Sequence, residues 1–159
     1  MRAPMPVDHT TRKRFYFPGS GQFRVRDHFA VGFEPVHIGY LGENFRKVYL
    51  DLEVPPEPAC DFSTRNLTER LTGPQIVERF GESCLVPLPV AWHLLLQHAA
   101  GQPGALLTNG QTNILIHPGV DYTIGIFWFH GGWSIRAYPV HSEKQRSWFA
   151  GNQVIVRSA

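Results

Sequence analysis

The stretch from Tyr122 to Val140, YTIGIFWFHGGWSIRAYPV, decides how the chain is read. Two runs rich in aromatic and β-branched residues flank Gly131-Gly132. Gly-Gly between such runs predicts a two-residue hairpin turn, because both positions tolerate positive φ. With that turn, His130 faces Trp133, Trp128 faces Ile135, Ile126 faces Ala137 and Ile124 faces Pro139. This side is nearly all apolar and is assigned to the core. The other side pairs Phe129 with Ser134, Phe127 with Arg136, Gly125 with Tyr138 and Thr123 with Val140, since side chains alternate between the faces of a sheet. Aromatic rings beside one arginine suit a protein interface. Phe127, Phe129, Arg136 and Tyr138 are therefore the candidate interaction surface. Two other fates suit the same face: cover by a second layer of the domain, or stacking of a flat ligand or base.

Working outward, the C-terminal part reads as a meander of about five strands. Thr112 to His117 precedes the hairpin. Arg146–Phe149 and Asn152–Val156 form a last hairpin around Ala150-Gly151. Before the meander the pattern turns helical. Leu67 and Leu71 suggest a short helix over 64–72. Thr72-Gly73-Pro74-Gln75 has capping-box spacing, with Ile76, Val77 and Phe80 facing inward and Gly81 stopping the helix. A longer helix runs over 89–100. Its Trp92, Leu95, Leu96 and Ala99 keep the spacing of a core-facing stripe, and Gly101 fits the left-handed stop. This helix is expected to pack on the Ile124, Ile126, Trp128 face.

The N-terminal part alternates as strands. Phe23, Val25, Phe29 and Val31 fall inward, with Arg24, Arg26 and His28 outward. Val36–Leu41 and Phe45–Val54 read as a second hairpin, ended by Pro55 and Pro56. Residues 1–14 read as a flexible basic tail, and 15–159 as a single domain. The fold class is thus α+β: a mostly antiparallel sheet, as a sandwich or partly open barrel, with two or three helices from the middle of the chain packed on it.

Composition narrows the function. The 159 residues can bury a core without disulfides. Only 18% are charged, against a usual ~25%, and 13% are aromatic, which hints that a partner covers some surface. A net charge of +2 implies no nucleic acid by itself. Cys60 and Cys84 lack C-x-x-C or zinc spacing, and the start of the chain has no apolar leader, so a cytoplasmic protein with two reduced thiols is expected. No apolar run approaches the ~18 residues of a membrane span.

No phosphate-binding glycine loop, nucleophile elbow or metal motif occurs, so no catalytic residue, metal or cofactor is assigned. Asp51 and Glu53 share a strand face, yet nothing desolvates either, and they read as solvent-exposed. His117, Asp121 and His141 fall together at the base of the hairpin, and form the candidate polar cluster of an alternative reading: a small-molecule or metal-binding domain or enzyme. A second alternative is nucleic-acid binding through Arg12, Lys13, Arg14, Arg24 and Arg26. The leading reading is a non-enzymatic protein-interaction domain that associates with a second copy of itself.

Overall fold

The hairpin reverses one residue earlier than its glycine pair suggests. In the computed structural model, which describes residues 13–140 and 147–158, the strands are Tyr122–Phe129 and Gly132–Pro139, and the turn is His130-Gly131. Both turn residues have positive φ, 49° and 78°, as a primed two-residue turn requires. Trp128 therefore faces Trp133, Ile126 faces Ile135 and Ile124 faces Ala137. Each partner has moved by two positions from the expected pairing. A two-residue shift leaves every side chain on its assigned face, because the strand period is two. Gly132 is drawn out of the turn by its neighbour on the other side. A Cβ there would meet the backbone of Gly39 at 3.0 Å, so Gly132 belongs to a close strand contact.

Among the described residues the chain forms eleven strands and three α-helices, numbered in order. β1 is Arg14–Phe17, β2 Phe23–Arg24 and β3 Ile38–Leu41. Helix α1, Glu43–Tyr49, is followed by β4, Glu53–Val54, and β5, Cys60–Asn66. Then come β6, Leu71–Thr72, α2, Gly73–Phe80, and α3, Leu88–Gln97. β7 is Asn113–Leu115, β8 and β9 are the hairpin strands, β10 is Ser147–Trp148 and β11 Gln153–Arg157. The main sheet has the order β1-β5-β11-β7-β8-β9-β3 and is mostly antiparallel. Its β11–β7 and β9–β3 pairs are parallel. It is open, with β1 and β3 at its edges, and does not close into a barrel. The α+β assignment holds.

Several local expectations do not. The second N-terminal hairpin is replaced by β3, α1 and β4. Phe45 and Tyr49, four apart, are both fully buried on one side of α1, and that spacing outweighs the alternation of Val48, Leu50, Leu52 and Val54. The expected helix over 64–72 is instead the end of strand β5, a loop over 67–70 and strand β6. In β5, Phe62 and Thr64 turn inward, and the strand is paired on both sides. The segment after Arg24 tightens into a 3-10 turn, Val25–Asp27, so that Phe23, Val25 and Phe29 are buried but Val31 is not. β10 and β11 do not pair with one another. β10 joins β6, and β11 inserts between β5 and β7, so the meander is confined to β7-β8-β9.

The capping box at α2 is present on both arms: Thr72 accepts from the Gln75 backbone N–H, and the Gln75 side chain accepts from Thr72 N–H. Gly81 ends that helix. Helix α3 does pack on the inner face of the hairpin. Trp133 Nε1 donates to the His98 carbonyl at 2.8 Å, just past the end of α3. Gly101 lies so close that a Cβ would stand 2.5 Å from the Trp128 ring. Leu96 departs from the expected stripe and is exposed, while Leu88, Ala91, Leu94 and Leu95 are buried.

The sheet has a core on each face. The inner one joins α1 and α3 to Ile124, Ile126, Trp133, Ile135, Leu115 and Ile155. The outer one joins Ile76 of α2, Cys84, Leu71 and Trp148 to Ile114, Ile116, Val154 and Val156. Trp148 lies flush on β8 because residue 125 is glycine; a Cβ there would be 3.0 Å from its ring. This outer layer stops partway along the hairpin and leaves the tip uncovered.

Candidate functional site: the aromatic end of the sheet

The outer layer divides the four residues of the candidate surface. Tyr138 is half-buried, meets Trp148 edge-on at 5.5 Å and joins the outer core. Phe127, Phe129 and Arg136 lie beyond that cover. The Arg136 guanidinium carbon sits 5.0 Å from the Tyr40 ring and 5.5 Å from the Phe127 ring, which holds the cation between two aromatic faces. Phe127 meets Phe129 edge-on at 6.2 Å, and the Phe129 ring lies 4.0 Å from the His130 ring. Phe129 is 59% exposed and Tyr40 48%.

The row continues past the turn. The 31–39 segment and the turn enclose a cavity of about 260 Å³, lined in part by Val31, Phe33, His37 and His130. Phe33 is 77% exposed and touches His37 edge-on. Sequence reasoning missed Phe33 and Tyr40. Phe33 stands between Gly32 and Pro35, where no apolar partner is in register, and that isolation is the signal. Tyr40 falls within the expected strand over 36–41, for which the sequence predicts no facing, and the pairing there is irregular between Ile38 and Tyr40.

Charges at this end are unmatched. Among the described residues neither Arg136 nor the exposed Glu34 has an ion-pair partner.

The polar cluster is partly assembled elsewhere. His117 and Asp121 line one cavity of about 420 Å³ between α2 and the 116–121 segment. His141 lies outside the described residues. His117 is 8% exposed, and its Nδ1 accepts from the Leu88 N–H at 3.1 Å, at the start of α3. Burial lowers its pKa to about 4, so the ring is neutral. Among the described residues no group of three or more His, Cys, Asp and Glu is placed to hold a metal.

The basic set does not converge as free charge. Arg12 lies outside the described residues. Lys13 donates to the Gly104 carbonyl, and Arg14 opens β1. Arg24 pairs with Glu53 at 3.4 Å and Arg26 with Asp51 at 2.6 Å, so the two carboxylates first read as merely exposed offset two of the arginines. Both cysteines are free; the buried Cys84 thiol donates to the Gly81 carbonyl, and burial raises its pKa. Among the described residues no helix is long and apolar enough to cross a membrane. Compared with protein-family models, with curated proteins and with solved structures, the chain finds no match.

Proposed function

We propose that the chain is a non-enzymatic interaction domain that pairs with a second copy of itself through the aromatic end of its sheet. The observation that carries this reading is the row from exposed Tyr40 through Arg136 and half-buried Phe127 to exposed Phe129, with exposed Phe33 beside His130 across the neighbouring cavity. Rings with a stacked guanidinium are the side chains that dominate protein interfaces, since they bury much area at low entropic cost. The outer layer stops short of them, so their apolar area stays in water unless something covers it.

A second copy is favoured over another partner by charge. The same surface carries one unmatched cation, Arg136, and one unmatched carboxylate, Glu34. A two-fold arrangement brings each arginine to the glutamate of the other copy, because a residue contact in such an interface always occurs twice.

Charge reversal tests this. R136E or E34R alone is expected to weaken pairing, and R136E/E34R together to restore it, measured by light scattering on a sizing column. If the double variant pairs no better than the single ones, or the unaltered chain is a monomer throughout, the reading is wrong. Elution of the chain only with a foreign acidic protein would place another partner on this surface and overturn the self-pairing.

A further inference from the structure

We propose that pairing through the aromatic end is gated by pH: two copies join only while His37 and His130, which line one cavity beside the exposed rings, are uncharged. This rests on the self-pairing reading above and names how that contact is regulated.

The fold sets the place of both rings. The His37 main chain is held from two sides: its N–H donates to the Ala99 carbonyl at 2.8 Å, just past α3, and its carbonyl accepts from the Trp133 N–H on β9 at 2.7 Å. His130 takes the left-handed turn position, with φ 49°. Both line the cavity of about 260 Å³, and the rest of its lining, Val31, Phe33, Ile38 and four glycines, carries no titratable side chain. Each histidine touches one of the two exposed rings that pairing covers. His37 meets Phe33 edge-on at 5.5 Å, and His130 lies 4.0 Å from Phe129.

A partner seated on Phe33 and Phe129 takes water away from both imidazoles. Desolvation disfavours the charged form, and imidazole is the side chain whose ordinary charge change falls between pH 5 and 8. Among the described residues neither ring takes part in a hydrogen bond or ion pair that would offset the lost water.

The surrounding charges act in the same direction. Arg136 on β9 is a permanent cation, held between Tyr40 and Phe127. Glu34 is the carboxylate of the 31–39 segment, and in the pairing proposed above it faces Arg136 of the other copy. Two arginines and two glutamates then cancel, so charging four imidazoles adds positive charge that nothing opposes. At the end of α3, His98 is buried with its Nδ1 on the Gln102 carbonyl and does not line the cavity. Tyr40 on β3 and Tyr122 on β8 are the titratable groups of those strands, and tyrosine ordinarily ionises near pH ~10, outside this range. Separated chains therefore bind more protons than the pair, and the pair weakens as the pH falls through the histidine range.

Sedimentation velocity on the full chain at pH 8, 7 and 6 gives the pairing constant at each pH. If protonation of each of the four rings is about tenfold less favourable in the pair, pairing weakens about 100-fold between pH 8 and pH 6. A change below about threefold overturns the gate and leaves self-pairing intact, whereas a monomer at every pH overturns both. H37Q/H130Q is expected to bring the ratio between pH 8 and pH 6 below about threefold, whatever its constant at pH 8. A ratio as large as that of the unaltered chain would assign the effect to other groups and overturn the proposal. A second readout needs no pairing by a variant. The imidazole C–H NMR signals missing from H37Q and from H130Q identify the two rings in the unaltered chain. Those signals are expected to respond to pH about one unit lower in concentrated than in dilute samples. Identical titrations in the two samples would show that pairing leaves both rings in water, and the proposal would fail.

Discussion

Gly132 and Gly39 meet backbone to backbone where β9 runs parallel to β3: a Cβ on Gly132 would lie 3.0 Å from the Gly39 nitrogen and 3.1 Å from its Cα. The obstacle is main chain and cannot rotate away. Gly131, one residue earlier, is open on its side-chain side and needs glycine only for its φ of 78°. G132V is therefore expected to destabilise by about 1–3 kcal/mol or more through overpacking against a fixed strand. G131N is expected to cost under ~1 kcal/mol, since asparagine accepts the left-handed region. Urea denaturation of both variants checks the order, and equal losses would contradict it.

That pair also explains what could be read in the sequence and what could not. Gly-Gly announced a reversal, but local chemistry cannot say which glycine serves the turn and which serves a neighbour as distant in the chain as Gly39. The facing of Ile124, Ile126, Trp128, Trp133 and Ile135 survived because a two-residue slip preserves parity. The α2 cap was legible because both of its hydrogen bonds are local. The strand β5 was not, because Phe62 and Thr64 owe their places to partners on β1 and β11. At the candidate surface, Phe127, Phe129 and Arg136 were legible from alternation. Tyr138 was lost to Trp148, whose position over Gly125 no local pattern encodes.

The bond from Trp133 Nε1 to the His98 carbonyl ties the hairpin to the end of α3. W133F keeps a ring but removes one of two donors to that carbonyl, which keeps the Gly101 N–H at 2.9 Å. A loss of about 0.5–1.5 kcal/mol is expected for the hydrogen bond, with a further contribution from the smaller ring volume. The midpoint of chemical denaturation measures it, and an unchanged midpoint would contradict a stabilising role for the bond.

Folding keeps His117 neutral, so between its ordinary pKa of 6.5 and about 4 the unfolded chain binds a proton that the folded chain refuses. Stability contributed by this group is complete above pH 6.5 and falls as the pH drops through that window. The full loss is on the order of 3 kcal/mol. The lowered pKa of His93, also caused first by burial, acts in the same direction. H117N is expected to show a shallower decline between pH 7 and pH 4 than the unaltered chain in parallel urea titrations. Parallel curves would place the protonated form of His117 in the folded state.

Arg24 and Arg26 face Glu53 and Asp51 across exposed surface. Such pairs contribute about 0–1 kcal/mol each, so R24A/R26A is expected to leave stability within ~1 kcal/mol. With two of the candidate arginines offset, the unaltered chain is expected to bind a single-stranded oligonucleotide weakly. E53Q/D51N is expected to strengthen that binding at low salt, as read by fluorescence anisotropy. An affinity indifferent to those carboxylates would show that they do not restrain the arginines.

Sedimentation velocity across a hundredfold range of protein concentration most directly tests pairing through the aromatic end. The unaltered chain is expected to shift from monomer toward dimer as concentration rises, and F33S/F129S, on two exposed rings, to stay monomeric with an unchanged thermal midpoint. A single monomeric boundary for the unaltered chain at every concentration, or a dimer that persists in F33S/F129S, would contradict it.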